Sequence, residues 1–109
     1  AITETQTALG TPSYMAPEQF AGQRSDPRSD LYGVGAVVYH ALTGAPPFGR
    51  DVLRVLVGDR SIPLQPLPPG VDVVDPWLRR ALALEPTDRF ASAEAMRAAL
   101  PDVATKAVA

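Results

Sequence analysis

The sequence predicts a mainly α-helical chain, on three observations. Hydrophobic residues make up 46% of the chain and charged ones 20%, a balance that belongs to a folded rather than a disordered polypeptide. The stretch Ser29–Thr43 is apolar around its whole circumference, as a helix in the middle of a domain would be. Prolines number 12 in 109 residues, about twice the usual ~5%, so turns and sharp helix boundaries must be frequent. No segment alternates convincingly as a strand does.

Composition also excludes several functions. A formal net charge of −2 and a sequence pI near 5.2 argue against nucleic acid as a partner, because phosphate contacts need clustered cations. With no cysteine and a single histidine, disulfide scaffolds, thiolate zinc sites, cysteine nucleophiles and His-rich metal sites are ruled out. The longest apolar stretches, around Val34–Tyr39, are too short to span a bilayer. No charged-then-apolar leader opens the chain. Its first residue, Ala1, leads to the expectation that it starts inside a longer protein.

Along the chain, Ala1–Gly10 carries Thr3, Thr5 and Thr7 and little to bury, so it reads as an exposed loop. Thr11–Phe20 is turn-rich. Its Ala16-Pro17-Glu18-Gln19 suits the start of a short helix, with proline at the first position and an acid in the first turn. Gly22–Arg28 is a polar loop. Ser29–Thr43 is the strongest element, capped by Ser29 or Asp30 and stopped by Gly44 and Pro46-Pro47; at 1.5 Å per residue it would span roughly 22 Å. Asp51–Val57 is a short candidate helix, and Ser61–Gly70 a proline-broken connector. Asp75–Leu84 is amphipathic, with Trp77, Ala81 and Leu84 on one face beside Leu78 and Leu82. Ser92 can cap a last helix in which Ala93, Met96 and Leu100 share a face, and Pro101 ends it. Residues 1–100 are read as one partial domain, and 101–109 as a tail or linker.

Four blocks then point to a family. Gly10-Thr11-Pro12-Ser13-Tyr14-Met15-Ala16-Pro17-Glu18-Gln19 resembles the end of the activation segment of serine/threonine protein kinases, including the Ala-Pro-Glu motif. Asp30-Leu31-Tyr32-Gly33-Val34-Gly35, and then Tyr39–Gly44 with Pro46-Pro47-Phe48, resemble that family's central buried helix and the turn after it. Glu85-Pro86-Thr87-Asp88-Arg89-Phe90 is similar to its Asp-Pro-x-x-Arg element, with glutamate in place of the usual aspartate. The Thr3-Glu4-Thr5 pair and the Pro-Glu-Gln ending are most like the bacterial, eukaryote-like branch. The implied fold is the C-terminal half of the large helical lobe of the protein-kinase fold, without the β-rich N-terminal lobe.

The resemblance implies roles residue by residue. Thr11 would support the catalytic aspartate of a loop that this chain does not contain. Pro12, Ser13, Tyr14 and Met15 would wall the pocket for the residue after the phosphoacceptor. Glu18 and Arg89 would form a buried ion pair tying the activation segment to the base of the lobe; an arginine fork binds a carboxylate through two parallel hydrogen bonds. Asp30 would anchor the catalytic loop by accepting its amides, and it is equally a plain helix cap. Thr5, then Thr3, would be phosphorylation sites, the added charge ordering the loop against an arginine. His40 is a helix residue with no catalytic role. Gly33-Val34-Gly35 is not a dinucleotide loop, because Val38 stands where a third glycine is needed and no strand precedes it; its glycines allow close helix packing instead.

The glycine-rich loop, its lysine, the His-Arg-Asp loop and the Asp-Phe-Gly magnesium ligand are absent from these 109 residues. ATP and Mg2+ would therefore serve the complete kinase, with no catalytic residue, cofactor or metal held by this piece. The implied partners are proteins bearing Ser or Thr hydroxyls and the N-terminal part of the kinase domain, and the implied place is the cytoplasm, with membrane anchoring of the parent protein through a segment outside this chain left open. The competing expectation is a non-catalytic pseudokinase remnant or a helical protein-interaction module. As an isolated piece the chain is expected to be marginally stable, exposing the face of Ser29–Thr43 that the absent half would cover.

Overall fold

The computed structural model describes residues 11–23 and 26–101, so Thr3, Thr5 and Thr7 lie outside the described residues. Within them five α-helices follow one another: α1 Pro17–Phe20, α2 Pro27–Thr43, α3 Val52–Leu56, α4 Asp75–Ala81 and α5 Ala93–Ala98. They are joined by 3₁₀ turns, and no strand occurs among the described residues. The described residues are mainly α.

Helix α2 organises the rest. It begins two residues before the predicted Ser29, and neither Ser29 nor Asp30 caps it. The cap is Asp26, whose Oδ1 accepts from the amides of Arg28 and Ser29 at 2.8 and 3.1 Å. Pro27 behind it takes the first helical position, where a missing amide hydrogen costs nothing. At the other end Gly44 adopts the left-handed conformation (φ 83°) and donates its amide to the His40 carbonyl at 2.8 Å. A residue with a Cβ would be strained at that φ.

The circumference of α2 is apolar, but it is not buried all round. Leu31, Tyr32, Gly35, Ala36 and Tyr39 are buried, whereas Val34 and Val37 remain 50% and 57% exposed. The described neighbours, chiefly α4, α5 and the 3₁₀ turn Thr11–Tyr14, cover one side and leave the other open.

Close packing of α2 on α4 depends on Gly35. A Cβ there would lie 2.9 Å from the Ala81 Cβ, nearer than carbon atoms approach, and 3.4 Å from a Leu82 methyl. Gly35→Ala should therefore destabilise the chain by about 1–3 kcal/mol through overpacking, read as a lower urea midpoint. Gly33→Ala is the control. Its nearest obstacle, the Tyr14 carbonyl, is 3.6 Å away, so that variant should unfold at an unchanged or higher midpoint. Equal losses in both variants would refute the packing account.

The remaining elements follow their local signals with two exceptions. The Asp51–Val57 prediction resolves into the 3₁₀ turn Gly49–Asp51 and α3. Ser92 caps α5 by accepting the Ala95 amide at 3.0 Å. Helix α4, however, stops at Ala81 instead of reaching Leu84, and the carbonyls of Ala83 and Leu84 beyond its end accept from the Arg89 side chain. Helix α5 ends at Ala98, before the predicted stop at Pro101, so Leu100 follows the helix while Ala93 and Met96 lie on it, and Met96 alone of the three is buried. Together they line an apolar groove with Leu31, Val34 and Trp77. The proline-rich connector is held by side chains rather than by a ladder: Tyr39 donates its hydroxyl to the Gln65 carbonyl at 2.8 Å, and Arg79 donates to that of Leu64 at 3.1 Å.

Candidate substrate-docking segment and its anchor

The segment begins with the 3₁₀ turn Thr11–Tyr14. The Met15 amide donates to the Pro12 carbonyl at 3.3 Å, and Pro12, Ser13, Tyr14 and Met15 are all half-buried. Thr11 opens the turn, but its hydroxyl lies outside the described side chains. Next comes Ala16, fully buried, whose amide donates to Gln19 Oε1 at 3.1 Å. That bond and the φ of Pro17 set the short α1.

Helix α1 exists to aim Glu18 inward. The carboxylate accepts from Arg89 through two parallel bonds, Nη1 to Oε2 at 2.6 Å and Nη2 to Oε1 at 2.8 Å, across 71 residues of sequence. Glu18 is 9% exposed and Arg89 2%. The Ser29 hydroxyl donates to the same Oε2 at 2.7 Å. The other guanidinium donors reach the carbonyls of Ala83 (2.7 Å), Arg28 (3.2 Å) and Leu84 (3.3 Å). All five N–H groups of the fork are thus engaged, as a buried arginine requires. The guanidinium carbon lies 4.9 Å from the centre of the Tyr32 ring, a cation–π contact. Three pieces of chain (α1, the first turn of α2 and the Glu85–Phe90 turn) therefore converge on one charge pair.

The electrostatics follow. Burial alone would raise the Glu18 carboxyl, but Arg89, Ser29 and its own backbone amide outweigh it and bring it from 4.5 to about 2. Burial pushes the Tyr32 hydroxyl up to about 12, with Arg89 partly opposing and Glu18 reinforcing the rise. For Glu18 the folded value is the lower one, so the unfolded chain binds the extra proton. Its stabilisation is fully present above about pH 4.5 and drains away as the pH falls toward 2. The loss amounts to about 3 kcal/mol. Urea midpoints measured across that window should fall steeply for the parent chain and far less for Glu18→Gln. Identical acid slopes would contradict this assignment.

The structure places the other predicted residues less centrally. Asp30 is exposed in the first turn of α2, near the positive end of the helix, and leaves the capping to Asp26. Sequence reasoning missed Ser29 as the third member of the charge cluster, because a serine at a predicted helix start reads first as a cap. It also missed a contact between Tyr14 and His40.

The described residues do not fit a nucleotide-metal site. Among them no three Asp, Glu, His or Cys side chains converge as metal ligands. A cleft of about 470 Å³ between the end of α2 and the connector is lined by Tyr39, Phe48 and several prolines, with Asp51 as its charged group; it offers no cation to a triphosphate. Among the described residues no helix is long and apolar enough to cross a membrane.

Comparison with known proteins places this geometry. Residues 2–98 match the family described as protein kinase domain. Serine/threonine-protein kinase PknB of Mycobacterium leprae is 40% identical over 105 residues, covering 91% of this chain and 17% of that protein. Serine/threonine-protein kinase pkn3 of Myxococcus xanthus is 39% identical, covering 94% and 20% respectively. The crystal structure of the Mycobacterium tuberculosis PknI kinase domain superposes with a TM-score of 0.53 at 39% identity, over 78% of this chain and 34% of that one. The chain thus spans about a fifth of the length of the relatives it matches. By sequence over nearly its whole length, by fold, and with a Pro-Glu turn locked to a distant arginine, the chain belongs to the protein kinase family.

Proposed function

We propose that this chain is part of an ATP-dependent protein serine/threonine kinase and supplies its substrate-docking face. The observation that carries the reading is the Glu18–Arg89 pair, which fixes the Thr11–Met15 segment against the helical core. A docking loop must be rigid to present a peptide, because misplacing a reactant by about 1 Å costs orders of magnitude in rate. In this reading the Thr11 hydroxyl orients the catalytic carboxylate, Pro12–Met15 wall the peptide pocket, and Asp30 accepts amides of the catalytic loop. Thr5 and then Thr3 are the phosphorylated threonines. ATP and Mg2+, when bound to the complete enzyme, supply the phosphoryl group and offset its charge. The place of action is the cytoplasm, on protein substrates.

The test compares the complete gene product with the 109-residue chain, using γ-labelled ATP and a general acceptor protein. The complete product should label serine and threonine. The 109-residue chain should neither bind ATP nor transfer label. Failure of the complete product to transfer would favour a pseudokinase, and transfer by the short chain alone would overturn the division of labour.

A further inference from the structure

The kinase reading leaves the proline-rich connector between α3 and α4 without a role. Across residues 62–69, every residue but Leu64 is either a proline or the residue before one. Proline fixes its own φ near about −65° and pushes its predecessor into the extended region. The local sequence therefore dictates a polyproline-II strip, which needs no backbone hydrogen bonds of its own. The structure agrees: residues 62–68 form neither helix, strand nor turn.

Side chains of the core hold this strip from behind. The carbonyls of Leu64 and Gln65 accept from Arg79 and Tyr39 at 3.1 and 2.8 Å, and the Leu67 amide donates to Asp75 Oδ1 at 3.3 Å. Leu67 is buried, and Leu64 packs against the core. Pro63, Pro66 and Pro69 stay exposed. They recur every three residues, the period of a polyproline-II helix, so their rings share one edge, about 9 Å apart.

Arg60 stands one period earlier, exposed in the turn that leads into the strip. Its guanidinium is 3.7 Å from Glu85, with both side chains more than half exposed. That is a loose surface pair, which an incoming carboxylate can replace. The neighbouring Asp59 is already taken by Arg54 and Ser61. The exposed residues thus read Arg-x-x-Pro-x-x-Pro: one cation and two proline rings in a row.

We propose that residues 60–66 form a docking ridge for a protein domain of the polyproline-binding type, with an aromatic-lined groove and a carboxylate at its end. Pro63 and Pro66 seat against the partner's rings. Arg60 meets the carboxylate and so sets the direction of docking. Because the strip is already held extended, docking orders little new chain. The inference goes beyond the catalytic reading and does not depend on it, since it uses no residue of the Thr11–Met15 segment.

The test titrates the complete gene product into a ¹⁵N-labelled SH3 domain that takes arginine-first PxxP peptides, used as the probe. Saturable NMR shifts confined to the probe's aromatic groove are expected. Joint Pro63→Ala and Pro66→Ala substitution, and separately Arg60→Gln, should each weaken binding by about tenfold or more. Arg97→Gln, an exposed arginine on α5, should leave it unchanged. Circular dichroism melts check that the variants fold. A probe whose groove tryptophan is replaced by alanine, which leaves this chain untouched, should also bind about tenfold or more weakly. No saturable shifts, shifts outside the groove, or binding that survives the proline, Arg60 or probe-tryptophan substitutions would overturn the proposal. So would self-association of the gene product that the proline substitutions abolish, because the ridge would then serve a second copy of this chain.

Discussion

Replacing Arg89 with methionine should destabilise the chain by about 3–5 kcal/mol, because it strands a buried carboxylate. Methionine fills much of the same volume, so packing is a minor part of the loss. What disappears is the fork that satisfies Glu18 twice and the carbonyls of Ala83, Arg28 and Leu84 once each. Arg89→Lys should fall between, since an ammonium keeps the charge but cannot make the bidentate pair. The whole stability of a small domain is about 5–15 kcal/mol. The methionine variant of this chain is therefore expected to lose most of its cooperative unfolding, read by circular dichroism in urea. A midpoint within experimental error of the parent would show that the pair is dispensable.

Trp77→Ala should cost a similar amount, about 3–5 kcal/mol. Trp77 is buried, donates Nε1–H to the Met96 carbonyl at 2.8 Å and packs 5.9 Å from the Phe90 ring. Removing it opens a cavity at the junction of α2, α4 and α5 and leaves a buried carbonyl near the end of α5 without its partner. Trp77→Phe should recover most of the packing and none of the hydrogen bond, and so lie nearer the parent. Hydrogen exchange should locate the damage: α5 amides lose protection first, because that carbonyl bond is their tie to α4. Uniform loss across all helices would contradict a local role for Trp77.

The parts of this structure legible in the sequence are those decided by neighbouring residues. Gly44 ends α2 because only a residue tolerant of positive φ fits there, and Ser92 caps α5 because its hydroxyl reaches the Ala95 amide. The parts that were not legible depend on distant partners. Ser29 and Asp30 look like caps as good as Asp26. The choice falls to Asp26 because Ser29 is drawn to Glu18, 11 residues away. The use of the Ala83 and Leu84 carbonyls by Arg89, beyond the early end of α4, is something no periodicity reveals. The exposure of Val34 and Val37 is likewise a property of their neighbours, since their own pattern reads as core.

The candidate site divides the same way. Glu18 and Arg89 could be paired in advance through the family resemblance, as two motifs far apart in the chain. Tyr14 and His40 could not, because neither spacing nor composition links a turn tyrosine to a helix histidine. Stacking and a shared hydrogen bond become visible only once α2 lies beneath the Thr11–Tyr14 turn.

The central claim, that one buried charge pair joins the Thr11–Met15 segment to the helical core, is tested most directly by a double-mutant cycle. Urea unfolding would be compared for the parent, Glu18→Gln, Arg89→Met and the double variant. If the pair is the anchor, the double variant should be no less stable than the worse single variant, since it strands no charge. The coupling would then reach about 2–3 kcal/mol, at the upper end for residues in direct contact. Losses that simply add, with no coupling, would mean that Glu18 and Arg89 act independently and that the anchor does not exist.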